Sequence, residues 1–184
     1  MKPIFTNVGI VGAGAMGRGI AQIAAQAGSN VLLFDLQPDS ARSAQVAVFA
    51  QWEKLCQKGR LSEDQVGRYK SHLLCAASLD ALKDCDLVVE AVIERLDVKV
   101  ELFAKLERLV STDTILATNT SSLSVTAIAA GLKRPEQLAG FHFFNPVPLM
   151  KVVEVVAGLK THPAVSAKLV TYARQMGHTP VQAQ

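Results

Sequence analysis

Gly12, Gly14 and Gly17 form a G-x-G-x-x-G pattern between an apolar run, Val8-Gly9-Ile10-Val11, and a helical stretch from about Ala15 to Ala27. Each glycine meets a separate physical demand. The first permits a tight strand-to-helix turn, the second lets the backbone approach a pyrophosphate, and the third allows helix and strand to pack closely. The helix start then offers free amide hydrogens and the positive end of a dipole to an anion. Taken alone the pattern is weak, because glycine-rich turns are common. The next strand strengthens it. This second strand, Val31-Leu32-Leu33-Phe34, ends on Asp35, which lies 23 residues after Gly12. A carboxylate there accepts from both ribose hydroxyls of an adenosine and repels a 2′-phosphate, which points to NAD rather than NADP. The next residues, Leu36, Gln37 and Pro38, supply no arginine to offset that repulsion. The plainer alternative for Asp35 is a strand-end turn residue.

The remaining pattern alternates strands with helices. Leu73 to Ala76, Leu87 to Ala91, Ile115 to Thr118, Leu138 to Phe143 and Lys151 to Val156 read as strands. Helices are expected from about Leu96 to Val110, Val125 to Ala130 and Ala164 to Met176. Pro38 suits the first turn of a helix running to about Lys58. Ser62 with Gln65 has the spacing of a capping box. This order predicts an α/β, doubly wound, mostly parallel sheet in one domain over residues 1–184, with a long helical arm at about 41–70 after the second strand. The arm carries a polar turn at Lys58-Gly59-Arg60, and two readings of it stand: packed on the sheet, or projecting toward a substrate or second domain.

Composition excludes several classes. Nineteen Lys and Arg against sixteen Asp and Glu give a net charge of +3, and the basic residues are scattered. No nucleic-acid footprint exists, so no nucleic-acid partner is expected. No apolar stretch approaches the roughly 18 residues of a membrane span. Cys56, Cys75 and Cys85 lack paired spacing and read as reduced thiols of a cytoplasmic protein. No metal-ligand spacing occurs, and no metal is expected.

Of four histidines, His142 stands apart. It lies in Gly140-Phe141-His142-Phe143-Phe144-Asn145-Pro146 at the end of an apolar strand, where ligands bind in such sheets. A satisfied core histidine and a catalytic one are both compatible with that position. Glu154 interrupts Val152-Val153-Glu154-Val155-Val156, and a carboxylate there is expensive unless paired. Pairing with a neighbouring imidazole would make a general base, whereas an edge strand would turn Glu154 to solvent. His72, His162 and His178 read as surface or structural residues. Thr118-Asn119-Thr120-Ser121-Ser122 follows a strand and precedes a helix. Turn and capping work explains it, and so does contact with a nicotinamide or substrate.

Four segments in this order, Gly12-Ala13-Gly14-Ala15-Met16-Gly17, Val89-Glu90-Ala91-Val92-Ile93-Glu94, Thr118 to Ser122 and His142-Phe143-Phe144-Asn145-Pro146, closely resemble the NAD-binding domain of 3-hydroxyacyl-CoA dehydrogenases. The resemblance includes the 3-hydroxybutyryl-CoA dehydrogenases and the related enzyme of phenylacetate breakdown. It implies a Rossmann-type fold and reversible NAD-dependent oxidation of an (S)-3-hydroxyacyl-CoA. By that resemblance His142 is the catalytic histidine, Glu154 its partner, Ser121 the serine near the substrate hydroxyl and Asn145 the asparagine near the thioester carbonyl. Gly12, Gly14, Ala15, Met16, Gly17, Asp35, Ala91, Glu94, Lys99 and Asn119 fall at cofactor positions, and Lys58 at a lysine that approaches CoA. Family members continue beyond Thr179-Pro180-Val181 into a helical C-terminal domain that these 184 residues do not contain. The resemblance places the dimer contacts of a full-length homodimer mostly there, which makes this fragment alone a monomer or a weak associate. The competing readings are a non-catalytic NAD-binding module and a dehydrogenase of a small hydroxy acid without CoA.

Overall fold

The computed structural model describes residues 2–37 and 39–183, so the expected helix start at Pro38 lies outside the described residues. Strands are β1 (Asn7–Val11), β2 (Asn30–Phe34), β3 (Leu73–Cys75), β4 (Leu87–Glu90), β5 (Ile115–Thr118), β6 (Leu138–Phe143), β7 (Val152–Ala157) and β8 (Thr179–Ala183). Helices are α1 (Ala15–Gln26), α2 (Ser40–Gln57), α3 (Glu63–Ser71), α4 (Leu96–Leu109), α5 (Val125–Ala129) and α6 (Pro163–Gln175). Two short 3-10 turns, Leu79–Leu82 and Pro135–Gln137, were not expected.

All eight strands join one sheet in the order β3-β2-β1-β4-β5-β6-β7-β8. Every pairing is parallel except β6 with β7. The link from Phe144 to Lys151 is too short for a crossover, which takes a dozen or more residues, so β7 must return antiparallel. The chain is thus doubly wound and mostly parallel, with an antiparallel hinge beside the strand that carries His142.

Alternation of side chains along the strands sorts the core into two layers. Leu87 and Val89 of β4 join Ile10, Leu33, Phe141 and Phe143 in a cluster covered by α1, α2 and α6. Val88 points the other way, with Leu116 and Leu138, beneath Phe103 and Leu106 of α4 and Ile128 of α5. Burial of each such aliphatic or aromatic side chain stabilises the fold by roughly 1.5–3 kcal/mol. The arm is packed, not free. Trp52 of α2 is wholly buried, against Phe49 and Tyr69, while Lys58, Gly59 and Arg60 are exposed at its turn. Ser62 and Gln65 form the expected reciprocal capping box at the start of α3.

Candidate active site

Strands β1, β4, β5 and β6 run the same way, and the register aligns Val11 with Glu90, Glu90 with Thr118 and Thr118 with Gly140. Their carboxyl ends therefore open on one edge, where doubly wound sheets bind ligands. A cavity of about 340 Å³ lies there, lined by Met16, Ala91, Glu94, Asn119, Ser121, His142 and Asn145 among others. Seven residues expected at a site are thus gathered from four segments of chain. A larger concavity of about 940 Å³ lies along Thr126, Leu159, Ser166 and Gln182, and its lining holds no titratable side chain. Of the two, the smaller cavity is the one lined by titratable side chains, Glu94 and His142.

His142 and Glu154 stand directly opposite each other in the antiparallel β6–β7 pair. Opposed residues on one face bring their side chains together, and His142 Nδ1 donates to Glu154 Oε2 at 2.8 Å. The odd and even positions of β7 explain how a carboxylate is tolerated. Val153 and Val155 are buried under α6, whereas Glu154 faces the other side and remains 40% exposed. With Nδ1 engaged, Nε2 has no partner among the described residues. Phe144 packs on the imidazole, ring centroids 4.7 Å apart.

The loop after β5 is tied to the end of β4. Glu94 Oε1 accepts from the Ser121 amide at 3.0 Å and from the Thr120 hydroxyl. Burial works to raise the Glu94 carboxyl, but the Thr120 hydroxyl, the Lys99 ammonium and the Ser121 amide outweigh it and hold the group at about 2. Asn119 turns its side-chain oxygen to the Phe143 amide at 2.8 Å, which fixes β6 at its last residue. Lys99 does not line the cavity. It is buried behind Glu94, 2.5 Å from Glu90 Oε1 and 3.2 Å from Glu94 Oε2. Lys58 lies at the exposed end of α2 and does not line the cavity either.

The glycine loop fits a dinucleotide. Gly12 adopts φ +104°, and a Cβ there would stand 2.4 Å from the Ala91 carbonyl oxygen. A Cβ on Gly17 would meet the Gly12 carbonyl oxygen at 1.8 Å, while the Cβ position of Gly14 is open space. Helix α1 has Gly14 at its N-cap with no side-chain cap, unlike α3 and α5, which serines cap. Its first amides are left for an anion. Asp35 Oδ2 accepts from Ala13 N at 2.7 Å, so the carboxylate sits against the loop. Replacing Asp35 by alanine removes an acceptor and a negative charge together. NAD affinity falls and the gap between NAD and NADP narrows. Titration of both cofactors checks this, and an unchanged affinity ratio contradicts the role.

The pairing of Lys99 with Glu90 has no local signal in the sequence. His178, expected to be surface or structural, is buried, with its ring nitrogens 3.1 Å from the Val147 and Met176 carbonyls. Burial pushes the Cys85 thiol up to about 12, consistent with an inert cysteine. Among the described residues no group of three or more His, Cys, Asp or Glu could hold a metal ion. No described helix is long and apolar enough to cross a membrane.

Comparison with known proteins converges on one family. The family described as "3-hydroxyacyl-CoA dehydrogenase, NAD binding domain" matches residues 7–184. The 3-hydroxyadipyl-CoA dehydrogenase of Escherichia coli K12 is 43% identical over 96% of this chain and 37% of its own length. The crystal structure of 3-hydroxybutyryl-CoA dehydrogenase from the same species superposes with a TM-score of 0.95 at 42% identity, over 97% of this chain and 38% of that one. The (S)-3-hydroxybutyryl-CoA dehydrogenase of Ralstonia eutropha gives 0.93 at 36% identity, over 97% and 63%. The chain thus spans between 37% and 63% of the length of these relatives. On the match over residues 7–184, together with the glycine loop and the strand-end cavity, the chain belongs to the 3-hydroxyacyl-CoA dehydrogenase family, as its NAD-binding domain.

Proposed function

We propose that the full-length protein catalyses reversible, NAD-dependent oxidation of (S)-3-hydroxyacyl-CoA to 3-oxoacyl-CoA. The observation that carries this reading is the His142–Glu154 pair in the strand-end cavity. Neutral imidazole with Nδ1 donating to a carboxylate has Nε2 as its acceptor, which is the arrangement of a general base. His142 takes the proton of the 3-hydroxyl, and Glu154 stabilises the imidazolium that results. Bound NAD supplies the hydride acceptor for C3. In reduction the imidazolium returns the proton to the oxygen. By the family resemblance Ser121 is assigned to the substrate hydroxyl and Asn145 to the thioester carbonyl, and both are exposed at the cavity rim. Gly12 to Gly17, including Ala15 and Met16, hold the pyrophosphate, and Asp35 holds the ribose. Ala91, Glu94 and Asn119 face the nicotinamide end, with Lys99 behind them, and Lys58 is assigned to CoA. The cytoplasmic setting, the homodimer of the full-length protein and a place in fatty acid or phenylacetate metabolism belong to the same proposal.

The test is a substrate panel on the full-length protein. Turnover of acetoacetyl-CoA with NADH, well above that of free acetoacetate, is the expected result. Preference for the free acid overturns the CoA assignment, and binding of NAD without turnover of either substrate favours a non-catalytic module.

A further inference from the structure

The cavity that holds His142 has a second charged wall. Glu94 lines it with a side chain 36% exposed, and Lys99 and Glu90 stand behind with side chains only 1% and 0% exposed. Glu90 is also held by Thr118 Oγ1 at 2.7 Å and Val92 N at 2.7 Å. Two carboxylates thus share one ammonium. Among the described ion pairs no second cation reaches either carboxylate, since nearby Arg95 is spent on Asp97. One negative charge is left over, and Glu94 is the member that shows it to the cavity.

We propose that this surplus charge biases the protein's choice between the oxidation states of its cofactor, strengthening binding of the cationic nicotinamide of NAD+ relative to that of the neutral ring of NADH. The inference rests on the proposed dehydrogenase function, in which His142 takes a proton from the carbinol whose hydride leaves for the ring. Proton and hydride depart from one carbinol, so the ring must lie in the His142 cavity, and therefore within the field of Glu94. The two cofactor forms share the same pyrophosphate and riboses, so the ring charge is the electrostatic difference between them. A carboxylate at a partly exposed wall acts on that unit charge through a high effective dielectric, which sets a modest but measurable preference. The remaining groups facing the cavity leave the sign unchanged. Ser121, Asn119 and Asn145 are neutral, and His142 with Glu154 forms a separate acid–base pair.

The test is equilibrium titration of the full-length protein with NAD+ and, separately, NADH, without any acyl-CoA. In Glu94→Gln the ratio of the NAD+ to the NADH dissociation constant rises by about three- to tenfold. Glutamine keeps an oxygen that accepts from Thr120 and Ser121, so the loop retains its tie. Thr120→Val is the companion variant, because it loosens the same loop without altering charge. It weakens both forms alike and leaves the ratio in place. An unchanged ratio in Glu94→Gln, or an equal change in Thr120→Val, overturns the inference. If Glu94→Gln does not fold, the wild-type protein carries the test through salt. Screening shrinks the preference, so the ratio rises with ionic strength, and a ratio independent of salt overturns the inference. Failure of the dehydrogenase reading is seen in the acyl-CoA panel instead, which these titrations do not use.

Discussion

Replacing His142 by glutamine in the full-length protein lowers kcat by about 10²–10⁴-fold, the usual contribution of a positioned general acid–base. That factor corresponds to roughly 3–5 kcal/mol of barrier. Glutamine cannot take up the hydroxyl proton, yet its size fits beside Phe144 and its amide can still meet Glu154. NAD affinity stays nearly unchanged, because the glycine loop of β1–α1 and Asp35 at the end of β2 lie on other strands of the sheet. Glu154→Gln keeps the shape and removes the charge. It lowers kcat by a smaller factor, since the proton acceptor remains but its orientation and the imidazolium's stabilisation are weakened. Steady-state rates with 3-hydroxybutyryl-CoA and NAD, together with NAD titration, check both variants. A His142→Gln protein with near wild-type kcat makes the histidine structural and removes the mechanism. Equal loss of kcat and NAD affinity points instead to a collapsed strand end.

Much of this architecture is legible in the sequence because its determinants are local. The bounds of β5 and β6 follow from short apolar runs, and the start of α3 from Ser62 and Gln65, whose side chains satisfy each other's backbone amides. The glycine loop is legible for the same reason, since Gly12 answers a contact with the end of the adjacent strand and Gly17 a contact within the loop, while Gly14 leaves the loop surface open. The His142–Glu154 pair could be anticipated from the anomaly of a carboxylate on an apolar strand. Its register could have been read further. Only eight residues separate Phe143 from Val152, which excludes a crossover and forces the antiparallel turn that sets His142 opposite Glu154.

What escaped the sequence was non-local. Nothing in Leu96 to Leu109 announces that Lys99 is drawn into the interior, because lysine on an amphipathic helix ordinarily reads as solvent-facing. Its helix neighbours give no partner, and the carboxylate that claims it belongs to β4. The burial of Trp52 was hidden similarly. The polar turn at Lys58 to Arg60 leaves a packed and a projecting arm both open, and the three aromatic rings of Phe49, Trp52 and Tyr69 decide for the packed one.

The buried pair makes the second large prediction. Lys99→Met destabilises the fold by about 3–5 kcal/mol, the range for removing one partner of a buried ion pair. Methionine has nearly the length of lysine, so packing against the cavity wall is largely preserved and the loss is electrostatic. Glu90 then stays wholly buried with the Thr118 hydroxyl and the Val92 amide as its remaining donors, too few to replace a cation. Glu94 loses the same ammonium but reaches solvent, so its share of the loss is smaller. The sign is checked by a second substitution. In Glu90→Gln with Lys99→Met no unpaired charge remains at the core of the site, and the amide can still accept from Thr118 or Val92. The double variant therefore recovers a substantial part of the stability, and the coupling between the two sites is large and favourable. Denaturant unfolding followed by tryptophan fluorescence measures all three, since Trp52 is the one tryptophan in these 184 residues and is wholly buried. If Lys99→Met unfolds within about 1 kcal/mol of wild type, or the double variant is no better than the single, the ammonium is not what keeps the Glu90 carboxylate in the core.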